Sequence, residues 1–174
     1  MDMGNAILNR LVARDRALFV RLVVFENSHV RTRRVWRALT HLGGLTSSVA
    51  VCVIPLASHG AVHEAARHAL YALVLSHLAV QVVKRTVGRP RPSSAVARCA
   101  LIAEPDQFSF PSGHSAAAMS VAVAYAMAFP TLAPVLVLVG VAVGLSRVAL
   151  GVHYPSDVLI GQVIAALTAV AVSS

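Results

Sequence analysis

The sequence predicts an all-α polytopic membrane bundle of about five transmembrane helices, preceded by an amphipathic helix on the membrane surface. Two observations of composition and one of pattern carry that expectation. Hydrophobic residues make up 57% of the 174 and charged residues only 13%, with mean hydropathy +0.72. A soluble domain carries roughly 25% charge, so this chain cannot build the polar shell of a soluble globule. The same apolar content excludes disorder, and two cysteines are too few for a disulfide scaffold. The pattern is a succession of apolar runs near ~20 residues, the length that spans a bilayer, with the charge gathered between them.

Residues 1–37 form the first unit. Arg10, Arg14, Arg16, Arg21, Arg31, Arg33, Arg34 and Arg37 alternate with Ile7, Leu8, Leu11, Val12, Leu18, Phe19, Leu22 and Val23. That is the spacing of an amphipathic surface helix. Its apolar stretch Ala17–Phe25 is too short to span and is interrupted by Arg21. Residues 38–174 form the membrane-embedded domain. Its expected spans are Ala38–Ser58, Ala65–Val83, Ser112–Phe129, Leu132–Leu150 and Ser156–Val172. Gly43, Gly44 and Pro55 weaken the first, and Pro130 and Pro134 mark the turn after the third. Gly140 and Gly144 give the fourth a GxxxG spacing, read as close packing inside the bundle.

The longest loop is Lys84–Pro111, with Arg85, Arg89, Arg91, Arg98, Glu104 and Asp106. A loop of that length in so small a protein is usually functional. Counting crossings from the N-terminus puts this loop and the stretch Arg147–Asp157 on the same membrane face as residues 1–37. That face carries fourteen of the fifteen Lys and Arg, and eleven against one without Lys84, Arg91 and Arg147. The positive-inside rule makes it the cytoplasmic face of a bacterial cell (inner) membrane. A nucleic-acid partner is not expected, because the basic residues lie between apolar runs and not on one soluble face.

Three clusters on that face carry chemistry. Lys84–Pro92 reads as border charge or as an oxyanion clamp, since arginine presents paired donors to phosphate and lysine a point charge. Phe110–Ser115 opens the third span, with Ser112 as a cap, free backbone N–H groups attractive to an anion, and His114 at the mouth. Its plain alternative is a cap beside an interfacial histidine. Ser146–Asp157 places Arg147 near the end of an apolar helix, where a charge is costly. His153 and Asp157, four apart, share a face if that turn is helical, although Pro155 argues that His153 lies just outside the helix. Glu104 and Asp106 read as solvated loop carboxylates, with a role in head-group choice as the alternative. Together the clusters supply two histidines, an orienting carboxylate and at least three cations. That set suits metal-free phosphoryl transfer, in which one histidine attacks phosphorus and the other protonates the leaving oxygen and then activates water.

Lys84-x6-Arg91-Pro92, Pro111-Ser112-Gly113-His114 and Ser146-Arg147-x5-His153-x3-Asp157 resemble the three-part signature of the type 2 phosphatidic acid phosphatase superfamily, also called lipid phosphate phosphatases. The resemblance covers Lys84 to Asp157 with all three parts in order. It implies His153 as nucleophile, Asp157 as its orienting partner and His114 as general acid/base. It further implies a phosphate site of Lys84, Arg91, Arg147, Ser112 and the Gly113 N–H, with no metal and no cofactor. The implied activity is hydrolysis of a lipid-linked phosphate monoester or diphosphate through a phosphohistidine, releasing inorganic phosphate. Undecaprenyl diphosphate, phosphatidylglycerophosphate or phosphatidic acid, and polyprenyl phosphosugar phosphates are the candidate substrates. The family commonly has six spans, against five plus a surface helix here. A non-catalytic lipid-binding or transport protein would use the same basic pocket, but its function would survive loss of His153.

Overall fold

The computed structural model describes residues 3–96, 99–104 and 106–173, with residues 3–6 and 8 by backbone alone; Arg98 and the Leu8 side chain fall outside that description. Seven α-helices run through the described residues: α1 Met3–Leu22, α2 Val30–Leu42, α3 Leu45–Val53, α4 Ala61–Val87, α5 Gly113–Ala128, α6 Ala133–Ala149 and α7 Pro155–Ser173.

The first helix is more than a surface float. Phe19 is fully buried, and its ring meets Tyr154 at 5.3 Å. The chain just after α1 is held by a hydrogen bond from Val24 N to Ala149 O at 2.8 Å. Ile7, Leu11, Leu18 and Leu22 remain exposed on α1, as a helix resting on a bilayer requires.

The expected first span, Ala38–Ser58, is not one helix. The arginines before residue 38 are good helix formers, so α2 already begins at Val30, across the boundary drawn from composition. It stops at Gly43, and α3 departs from it by 46°. A Cβ on Gly43 would lie 2.7 Å from His114 O and 2.6 Å from Val143 Cγ1, so glycine permits the backbone of α2 to touch α5. The second span runs longer than the apolar count, because Lys84 and Arg85 complete the last turn of α4, where cations favour the helix dipole. Gly88, at φ +61°, closes it.

Helix α5 lies at the centre and packs on α3, α4, α6 and α7. Its buried residues include Ser115, Ala116, Ser120, Ala122 and Ala124, small side chains that bring helix backbones close where lipid supplies no hydrophobic drive between helices. In α6, Gly140 faces Met119 and Ala122 of α5, and Gly144 faces Val158 and Gln162 of α7, so both glycines serve packing within the bundle. The outer surface is the apolar one: Leu78 and Val82, Val135 and Leu138, Leu159 and Leu167 are all exposed.

Among the described residues, four of the five expected spans are long and apolar enough by themselves. By length and composition, Ala61–Val87, Pro130–Ala149 and Pro155–Ser173 can cross a membrane, and the bent α2–α3 pair makes a fourth. The 16 residues of α5 extend about 24 Å at 1.5 Å per residue, short of the roughly 30 Å hydrocarbon core.

Candidate functional site

The α4–α5 loop folds back on itself at its two ends. Pro90 pairs with Phe108, and Ser109 N donates to Arg89 O at 2.8 Å. The loop also docks on the turn between α6 and α7: Leu101 N donates to Leu150 O at 3.0 Å, and Gly151, at φ +78°, lies directly under the Cys99 carbonyl. Those contacts bring the three basic and histidine clusters together at one end of the bundle.

His153 sits just before α7, almost wholly buried. Its Nδ1 lies 2.7 Å from Ser109 O. A carbonyl oxygen only accepts, so Nδ1 carries the proton and Nε2 keeps its lone pair. Arg91 NH1 stands 3.4 Å from that Nε2. Asp157 Oδ2 lies 3.6 Å from Nδ1, a charge contact too long for a hydrogen bond. The tautomer is therefore set by a backbone carbonyl that the sequence pattern did not single out, with Asp157 behind it. Burial pushes His153 down to about 4; Asp157 opposes that shift, while Arg147 and Arg91 add to it. The imidazole is a neutral base, the form a nucleophile needs.

Asp157 is fully buried and held from two sides, by Tyr154 N at 2.8 Å and Arg89 NH1 at 2.7 Å. Arg89 NH2 reaches Asp15 of α1 at 2.7 Å, and its guanidinium lies 4.1 Å from the centre of the Tyr154 ring. Asp15 also accepts from Ser156 N at 2.9 Å and Ser156 Oγ at 2.5 Å. No motif spacing predicts this Asp15–Arg89–Asp157 chain, since in the sequence Arg89 is one basic residue of its cluster. The remaining hint was Asp15 itself, a lone acid among the arginines of α1.

The expected phosphate ligands converge, but in this structure a carboxylate occupies two of them. Lys84 Nζ bonds Asp106 Oδ2 at 2.8 Å, and Arg91 NH2 bonds Asp106 Oδ1 at 2.9 Å. Arg91 also donates to Asp106 O at 2.6 Å and Val152 O at 2.8 Å. Burial disfavours the charge on Asp106, yet the Lys84 and Arg91 bonds and charges outweigh it and hold the carboxyl below its ordinary range. Asp106 keeps 37% of its side chain exposed, as expected of a loop carboxylate, but that carboxylate is committed to both cations. Arg147 is buried, with NH1 on Thr40 Oγ1 at 2.6 Å and Nε without a hydrogen-bond partner among the described residues. An unpaired guanidinium donor at that depth is costly unless an anion completes it.

His114 and Gly113, in the first turn of α5, line the same cavity as Lys84, Asp106 and His153. Ser112 is turned elsewhere. It is fully buried, its hydroxyl bonded to Ser115 Oγ at 2.8 Å and its N–H to Asp157 O at 2.9 Å, so it acts as the α5 cap. Both cysteines are free. Among the described residues no three His, Cys, Asp or Glu side chains gather as metal ligands. The cavity measures about 350 Å³ and continues from the histidines between α3, α4 and α5 along Leu45, Val49, Leu70, Leu73, Val74 and Leu78. It joins a polar end, lined by Lys84, Asp106, His114 and His153, to an apolar channel.

Residues 65–174 match the sequence profile of the PAP2 superfamily. A decaprenylphosphoryl-5-phosphoribose phosphatase of Mycolicibacterium smegmatis is 37% identical over 130 residues, 72% of this chain and 68% of that protein. An undecaprenyl-diphosphatase of Bacillus subtilis is 33% identical over 109 residues, 59% of this chain and 54% of that protein. The crystal structure of a transmembrane PAP2-type phosphatidylglycerolphosphate phosphatase from Bacillus subtilis superposes with TM-score 0.76 at 27% identity, covering 94% of this chain and 85% of that one.

Proposed function

The chain belongs to the PAP2 superfamily, and from that membership we propose that it is an integral membrane lipid phosphatase working through a histidine-bound phosphoryl group without a metal. The observation that carries this is a neutral, buried His153 with its Nε2 lone pair beside Arg91, in a cavity shared with His114 that runs on into an apolar channel.

In the first step His153 Nε2 attacks phosphorus as the bond to the lipid oxygen breaks, and His114 gives its proton to that oxygen. In the second, His114 takes a proton from water, the hydroxide displaces the phosphoryl group from His153, and inorganic phosphate leaves. Both histidines then return to their starting states. Lys84, Arg91 and the Arg147 guanidinium supply the positive charge for the equatorial oxygens, with the Gly113 N–H at the start of α5. Asp157 and the Ser109 carbonyl stabilise the positive ring of the intermediate.

The tail lies in the channel between α3 and α4, and the phosphate at the end where the basic residues gather. The distribution of Lys and Arg supports a site on the cytoplasmic side of a bacterial cell membrane. The two sequence relatives named above support a polyprenyl-linked phosphate as substrate. Phosphate release by the purified chain in detergent with EDTA tests the reading. The panel is a polyprenyl phosphopentose phosphate, undecaprenyl diphosphate, phosphatidylglycerophosphate and phosphatidic acid, with His153→Ala alongside. Release that survives EDTA and is lost in the variant is expected; release unaffected by His153→Ala would remove the nucleophile.

A further inference from the structure

The apolar channel is not uniformly apolar. On α4, His77, Gln81 and Lys84 all line it, and their spacing puts them on one helix face. At 1.5 Å per residue, Gln81 lies about 4.5 Å and His77 about 10.5 Å along the axis from Lys84, away from the catalytic end. His77 is exposed where the channel runs, and its one hydrogen-bond partner among the described residues is Gln81, at 3.3 Å on the same helix. The imidazole and the amide each keep polar capacity unused by the protein. Around them the walls are Leu70, Leu73, Val74 and Leu78. Polar side chains at membrane depth are costly and mark places where something polar is met.

We infer that His77 and Gln81 form a second subsite, which binds a hydroxylated spacer between the reacting phosphate and the apolar tail. The inference rests on the lipid phosphatase reading and names its substrate class. The two residues bracket a stretch about the length of one sugar ring. Each offers both a donor and an acceptor, which suits hydroxyl groups. Among the described residues, no Lys or Arg lines this part of the channel beyond Lys84, so a second phosphate would meet no Lys or Arg there. A diphosphate would instead keep both phosphates within a few ångströms of Lys84. The substrate is thus a lipid-linked sugar phosphate whose terminal phosphate is removed, in preference to a lipid whose phosphate is joined directly to its tail.

The test compares the full chain with the His77→Leu/Gln81→Leu double variant on two substrates, a polyprenyl phosphopentose phosphate and phosphatidic acid. The double variant is expected to lose about tenfold or more in kcat/KM on the sugar-bearing substrate, the scale of one or two uncharged hydrogen bonds, and less than twofold on phosphatidic acid. His77→Gln, which keeps the hydrogen bonding, should retain most of the activity on the sugar substrate. Equal loss on both substrates at unchanged thermal stability, or no loss on either, overturns the subsite. If the double variant melts early, Gln81→Leu alone carries the same comparison. A wild type that releases phosphate from neither of these, nor from undecaprenyl diphosphate or phosphatidylglycerophosphate, overturns the phosphatase reading, and this inference with it. Wild-type activity without selective loss overturns the subsite alone.

Discussion

At the scale of single residues, the chemistry turns on where protons and negative charges sit before substrate arrives. His153 is neutral because it is buried, with its titration pushed down to about 4. A histidine shifted this way adds stability above its ordinary value near 6.5, and loses it as pH falls from there through about 4. Its nucleophilic form persists across the same window. Ring titration of the free protein by NMR, with His153→Gln identifying the signal, is expected to give a value near 4; a value near 6.5 would mean a solvated ring. His153→Ala should lower kcat at least about a thousandfold, the scale on which covalent catalysts fail without their nucleophile. Asp106 holds Lys84 and Arg91 where a phosphate would lie. Asp106→Asn is therefore expected to tighten inhibition by inorganic phosphate, about tenfold for a charge-assisted contact released. Weaker inhibition would show instead that Asp106 is needed to position Arg91. The loop charge of Asp106 was visible in the sequence, but its partners lie 22 and 15 residues away along the chain, and no spacing rule joins them.

Among the elements, α1 and the α6–α7 turn position the nucleophile without touching the phosphate. Asp15 ties α1 to Arg89 and Ser156, and Arg89 holds Asp157. Removing Asp15 frees one end of that chain, and small misplacements of a catalytic group can cost up to about a hundredfold. Asp15→Ala is expected to lower kcat by tenfold or more with KM little changed. A change in KM alone would assign α1 to substrate entry. The turn is tighter still. Gly151 has φ +78°, and a Cβ there would stand 1.9 Å from Cys99 O. Gly151→Ala should destabilise the protein by about 1–3 kcal/mol, the usual cost of overpacking, read as an earlier melt in detergent. Helix periodicity revealed α1 as amphipathic. It could not reveal that one acid on that helix reaches the start of α7, since a helical wheel carries no information about the neighbour.

For the whole molecule, the arrangement is a bundle with small residues inside, Leu and Val outside, and its basic residues gathered at the catalytic end. With Arg67 the single Lys or Arg on the opposite side by the crossing count, the N-terminus should lie in the cytoplasm. A fluorescent reporter that matures only in the cytoplasm, fused at the N-terminus, is expected to shine; darkness there, with activity of an exported phosphatase reporter at the same position, would turn the site outward.

Membrane residence, the helical class and the three clusters were legible in the sequence, because each depends on local composition and spacing. Hydropathy is summed over neighbours in the chain, and Lys84, Arg91, His114, Arg147, His153 and Asp157 stand in short motifs of fixed spacing. Helix ends at Ser112 and Pro155 were legible for the same reason. The Ser109 carbonyl on His153, the carboxylate of Asp106 on the phosphate cations and the reach of Asp15 were decided only by tertiary structure. Each is a contact between segments remote in sequence, chosen by which backbones can approach and which buried charges need partners. Those are properties of the packed chain, and no single stretch of it contains them.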